Sequence, residues 1–183
     1  MPPIELLTAF FIAASVFAYF PGPAMLYAAA QTIARGRKAG WLAAMGIHLG
    51  GYVHVAAAAF GLAVLFEVVP LLYAALKIGG AGYLIWLGTK LYRSRQPIAA
   101  NSLAVDAKSP RRAFWESVTA EVLNPKTAIF YIAFLPQFAD PAAAFPIWLQ
   151  LLILGTVVNI MFSSADAACV LLADRVTAFL KRF

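Results

Sequence analysis

Lys126 stands in the run Asn124-Pro125-Lys126, inside a stretch so apolar that it reads as buried in lipid. Holding a cation there costs about 2.5–3.5 kcal/mol on insertion scales. The neighbouring proline removes a backbone donor and interrupts the helix at the same depth. A second interruption, Pro21-Gly22-Pro23, falls in the first apolar segment, where Gly22 also permits close approach of another group. Carbonyls freed by such breaks must find neighbouring helices, water or a ligand. Two broken helices, one carrying an intramembrane charge, form the pattern of a transport site, with Lys126 placed to meet a substrate carboxylate. The plainer readings stay open. Prolines often do no more than kink a membrane helix, and Lys126 could be held in a structural ion pair with Glu121 or Asp166.

Glu121 and Asp166 are the other deep acids. Glu121 lies nine residues beyond Arg112 and Asp166 nine before Arg175, so both fall about 13 Å from the inner interface at about 1.5 Å per residue. Carboxyl groups at that depth recur in proton relays, which makes this pair the candidate for proton coupling. His48 and His54 share one segment, but a six-residue spacing turns them some 120° apart, so they form no i, i+4 metal pair. No metal site and no cofactor are expected. Gly46 and Gly50 make a small-xxx-small step that lets helices approach closely. Lys77 is placed to snorkel toward the outer interface. The single cysteine, Cys169, excludes an intramolecular disulfide and dithiol chemistry and reads as a small buried residue. No Ser/His/Asp set or metal triad falls at one depth, which argues against an intramembrane enzyme.

The elements that position these residues follow from composition. Of 183 residues, 63% are hydrophobic and 12% charged, with a mean hydropathy of +0.81. Soluble domains are about 45–50% apolar and about 25% charged, so the bilayer is the main solvent of this chain. Five apolar segments can be drawn, at about residues 4–33, 39–66, 69–92, 113–138 and 145–173. The N-terminal run has no basic stretch ahead of it and reads as a retained span rather than a cleaved signal. The net charge of +6 comes from connecting segments, not from a recurring basic helix face, so no nucleic-acid partner is expected.

All basic residues except Lys77 and Lys126 lie on one side of these segments. Arg35, Arg37 and Lys38 follow the first, Lys90 to Arg112 separate the third from the fourth, and Arg175, Lys181 and Arg182 follow the fifth. The positive-inside rule then puts the N-terminus outside, and the 93–112 loop and the C-terminus in the cytoplasm. That loop divides a single membrane domain into a first repeat (1–92) and a second (113–183). Aligning Pro23 with Pro125 at an offset of 102 sets the second segment over the fifth. The expected fold class is therefore all-α, a polytopic helical membrane protein with an inverted 3+3 repeat whose sixth span is missing or truncated.

Pro21-Gly22-Pro23, the block ALKIGGAGYLIWLG (75–88) and the block VLNPKTAIFYIAFLPQF (122–138) resemble the LysE/RhtB family of amino-acid exporters. The likeness extends over almost the whole chain. It implies a six-span protein of the bacterial inner membrane that exports an amino acid or derivative, driven by the proton motive force. It points to Pro21, Gly22, Pro23, Asn124, Pro125 and Lys126 as substrate-binding residues. The chain departs from the family pattern at Ala24, where Asp or Asn is common, at Glu121, where Asn is common, and in lacking a sixth span. That last departure leaves three readings: a shortened member, a fragment of a six-span protein, or a chain completed by a second copy or a partner protein that supplies the span. Efflux of a metal cation or other toxic solute, and a non-transporting helical subunit, are the alternative functions.

Overall fold

Prolines punctuate this chain, and most helices begin where they fall. The first helix, α1 (Ile4–Ala18), follows Pro3, and α2 (Pro23–Arg35), α4 (Pro70–Arg93), α5 (Pro110–Val122) and α6 (Pro125–Phe134) each open on a proline. Pro146 immediately precedes α7 (Ile147–Leu180). A proline at the first helical position loses no bond, because that N–H would have had no intrahelical partner, and its φ is already helical. The exception is α3 (Arg37–Val68), joined to α2 through Gly36 alone at φ +86°. L side chains rarely adopt that conformation, so glycine is required at this one-residue corner.

The computed structural model describes residues 2–93 and 110–180, and among these every regular element is helical. Most of the expected 93–112 loop, with Arg95 and Lys108, lies outside the described residues, as do Lys181 and Arg182. The five apolar segments emerge as the broken pair α1–α2, the long α3, then α4, the broken pair α5–α6 with a 3-10 turn at Leu135–Phe138, and α7. By length and composition α3 and α7 can each cross a membrane, and so can α1–α2, bent by 45° at its break, if taken as one span. Helix α7 outlasts the fifth apolar segment, drawn to about residue 173. Asp174 and Arg175 continue within α7, which runs to Leu180 and is about 50 Å long. Charged residues leaving the bilayer do not break a helix whose backbone bonds are intact.

The core lies between α1, α3, α6 and α7. Phe10 and Ala14 of α1 pack with Val55, Ala59 and Leu62 of α3, Phe130 and Phe134 of α6, and Leu151, Leu154 and Val158 of α7. An aromatic ladder joins the two broken segments. Phe17 and Phe130 have ring centroids 5.1 Å apart, Phe10 and Phe134 5.7 Å, and Phe130 stacks on Phe134 at 4.8 Å. Outward, Leu71, Ile78, Ile12 and Ile85 are exposed, as residues facing acyl chains should be.

Small residues set the helix spacing. A Cβ on Gly46 would lie 2.6 Å from the Phe114 carbonyl oxygen, and one on Gly50 2.8 Å from Glu121 Cβ, so this face of α3 rests directly on α5. Gly51, on another face, abuts the Asn159 amide of α7. Gly80 of α4 meets the backbone of Ala133 in α6, where a Cβ would have only 2.9 Å. Cys169, expected to be buried, is half-buried instead. Lys77 is half-buried as well and borders a shallow recess with Glu5 and Asp140.

Candidate functional site

The first break leaves Gly22 as the N-cap of α2, extended at φ −120°, ψ 172°, with no side chain capping the turn. The second is built differently. Asn124 caps α6, its Oδ1 accepting from the Lys126 N–H at 3.1 Å, while its Nδ2 donates to Glu121 Oε2 at 3.3 Å. The Glu121 carbonyl accepts from the Asn124 N–H at 3.0 Å and from His54 Nε2 at 2.7 Å. Because a carbonyl only accepts, His54 must carry its proton on Nε2. The α5–α6 break is thus tied to α3 through a buried histidine.

Both breaks border one cavity of about 120 Å³. Gly22, Pro23, Ala24 and Met25 line it from the first break, Asn124, Lys126 and Thr127 from the second. Two helix N-termini therefore face the same space, and each carries the positive end of its helix dipole. Phe17, Phe130 and Phe162 form an apolar wall, and Glu121 and Asp166 contribute carboxylates.

Of the residues singled out in the sequence, Gly22, Pro23, Asn124, Lys126, Glu121 and Asp166 come together here. Pro21 and Pro125 do not line the cavity. Both are exposed, and they shape the turns rather than the chamber. Lys126 is exposed at the cavity's edge, and among the described residues its ammonium has no carboxylate within ion-pair distance, so the structural pairing with Glu121 or Asp166 is not formed. Glu121 and Asp166 are both buried, at 7% and 4% exposure. Glu121 is bonded into the break. Asp166 accepts no hydrogen bond among the described residues.

Sequence reasoning missed Asn159, Ser163 and Tyr131, all of which line the cavity. Asn159 Nδ2 donates to the His48 carbonyl at 3.1 Å, Ser163 Oγ donates to the Asn159 carbonyl at 2.7 Å, and Ser163 also hydrogen-bonds His48 Nδ1. A signal was present. Asn159, Ser163 and Asp166 recur at i, i+4 and i+7, a polar stripe on one face of an otherwise apolar helix. Tyr131 gave none, since an aromatic in an apolar run reads as core. Its hydroxyl is buried without a hydrogen-bond partner among the described residues.

Residues 15–182 match the family model described as LysE type translocator. The chain belongs to the LysE family. Its relatives include an uncharacterized membrane protein of Pseudomonas aeruginosa, 32% identical over 88% of this chain and 76% of the relative. A homoserine/homoserine lactone efflux protein of Salmonella typhimurium is 29% identical over 94% of this chain and 82% of the relative. A leucine efflux protein of Klebsiella pneumoniae is 33% identical over 69% of this chain, which spans 59% of that protein. No solved structure matches. Membership makes this LysE protein a multi-pass membrane transporter, in keeping with its apolar helices.

Proposed function

We propose that this chain exports an amino acid or amino-acid derivative across the bacterial inner membrane in exchange for protons. The observation that carries this reading is the meeting of two half-helix N-termini, one lysine and two carboxylates around one cavity in a LysE family protein. That set matches a zwitterion. The helix dipoles and Lys126 attract a carboxylate, while the acids Glu121 and Asp166 offer, between them, opposite charge for an ammonium group and a site for proton exchange. The names of the homoserine and leucine efflux relatives support a small amino acid as substrate.

In this reading the two breaks are equivalent points of an inverted repeat, with 1–92 and 113–183 as its halves. Pro23 and Pro125, 102 residues apart, both occupy the first turn of a half-helix, which supports that equivalence. Alternating access is rocking of the half-helices about the long pair α3 and α7. The N-terminus is outside and the 93–112 loop and C-terminus are cytoplasmic, as the basic residues indicate.

The test is efflux of labelled homoserine and leucine from proteoliposomes under an imposed pH gradient. Lys126→Met should remove substrate-dependent efflux while the protein elutes and unfolds as the wild type does. Unchanged efflux in that variant removes Lys126 from the mechanism, and wild-type protein that moves no amino acid defeats the reading itself.

A further inference from the structure

We infer that Asp166 is the one position at which a proton and the substrate's ammonium group exclude each other, and that Glu121 is a positioning residue for the second helix break. This rests on the amino-acid export reading above. Both acids border the cavity, but their surroundings differ in kind. The Glu121 carboxylate is engaged by Asn124 Nδ2, its carbonyl receives His54 and the Asn124 N–H, and its Cβ lies against Gly50. Every one of those contacts fixes the corner between α5 and α6. Asp166 is 4% exposed, borders the cavity and accepts nothing among the described residues.

A carboxylate buried without a donor is strongly disfavoured as a bare anion. It is stable with a proton or with a cation, and one site cannot hold both. The groups around it leave the place open. From the turn after α1, the Tyr19 hydroxyl is bonded to Ser164, and from α3, His48 is bonded to Ser163. On the cavity wall α2 contributes only Pro23, Ala24 and Met25, while α5 contributes Glu121, already engaged. Lys126 and Tyr131 come from α6, and Lys126 forms no ion pair with Asp166. On α7 itself, the neighbouring Cys169 carries no positive charge. The missing partner is therefore an ammonium group brought by the substrate, whose carboxylate turns to Lys126 and the helix N-termini.

Exchange follows without a further reactant. Facing the cytoplasm, Asp166 gives up its proton and takes the ammonium group. Facing outward, it releases the amino acid and takes a proton, so one proton enters for each substrate that leaves.

Proton release on substrate binding tests this directly, in weakly buffered detergent solution with homoserine and leucine as probes. Wild-type protein should release up to about one proton per bound substrate at slightly acidic pH, where Asp166 holds its proton before binding, and the release should fall away as the pH is raised. Asp166→Asn should abolish that release and lower gradient-driven efflux at least tenfold, and Asp166→Glu should restore the release. Glu121→Ala should slow efflux but retain proton release, and Glu121→Gln, whose amide oxygen still accepts from Asn124, should recover most of the rate. Proton release that persists in Asp166→Asn, or that vanishes in Glu121→Gln with the protein folded, overturns the assignment. If Asp166→Asn does not fold, failure of Asp166→Glu to release protons overturns it. A wild type that exports amino acid without releasing protons refutes this inference alone, whereas one that exports none refutes the functional reading beneath it.

Discussion

Replacing Gly50 by alanine places a methyl group where α3 and α5 are closest to the second helix break. The new Cβ would sit 2.8 Å from Glu121 Cβ and 2.9 Å from the Val118 carbonyl oxygen, where ordinary contact begins at 3.4 Å. Neither neighbour is the free end of a flexible side chain, so the helices must part by about 0.6 Å. The His54 to Glu121 hydrogen bond, 2.7 Å long, then stretches to about 3.3 Å, past the usual limit near 3.2 Å. Overpacking costs about 1–3 kcal/mol and the weakened bond about 0.5–1.5 kcal/mol, against about 0.8–1 kcal/mol gained from alanine's better helix propensity. The expected net loss is about 1–3 kcal/mol, read as a lower unfolding midpoint in detergent micelles followed by tryptophan fluorescence. Gly79→Ala is the control, since nothing lies within 4 Å of its Cβ position, and it should gain up to about 1 kcal/mol. If Gly50→Ala is as stable as Gly79→Ala, the close seam between α3 and α5 is not the one described.

Asn124→Ala should lose the α6 cap and cost about 0.5–2 kcal/mol in the same unfolding assay. Asn124→Asp keeps the capping oxygen but loses the donor to Glu121 and sets a second carboxylate beside it, so its unfolding midpoint should fall below that of the wild type even though the cap is retained. Tyr131→Phe removes a buried hydroxyl that has no partner among the described residues, and its unfolding free energy should stay level or rise by about 1 kcal/mol. A clear drop would mean that the hydroxyl is satisfied in the folded protein.

Much of the framework was legible because prolines and apolar runs are local signals. Pro23, Pro70 and Pro125 announce helix starts at the positions where α2, α4 and α6 begin. Family membership was readable from the two long sequence blocks. The small-xxx-small step at Gly46 and Gly50 pointed to a close seam without naming α5 as the partner, since partner choice is a tertiary matter. The wall of the cavity was less legible for the same reason. Tyr131, Phe130 and Phe162 gather only when α6 meets α7, and an apolar sequence does not reveal which aromatics face a hollow. Asn124 and Glu121 were visible as unusual residues, yet their bond to each other depends on the corner that Pro125 makes. The end of α7 was not legible, because the charges at Asp174 and Arg175 mark where the apolar segment ends, not where the helix stops.

The tie between α3 and α7 has a mechanical consequence. Asn159 donates across the seam to a main-chain oxygen, with Gly51 pressed against the same amide. Two long rods fastened at that level behave as a stiff keel, and compliance is left to the short half-helices beside it. Small molecules designed to jam such a machine should therefore be aimed at the corners beside Gly22 and Asn124, because wedging the keel apart would have to break that fastening first.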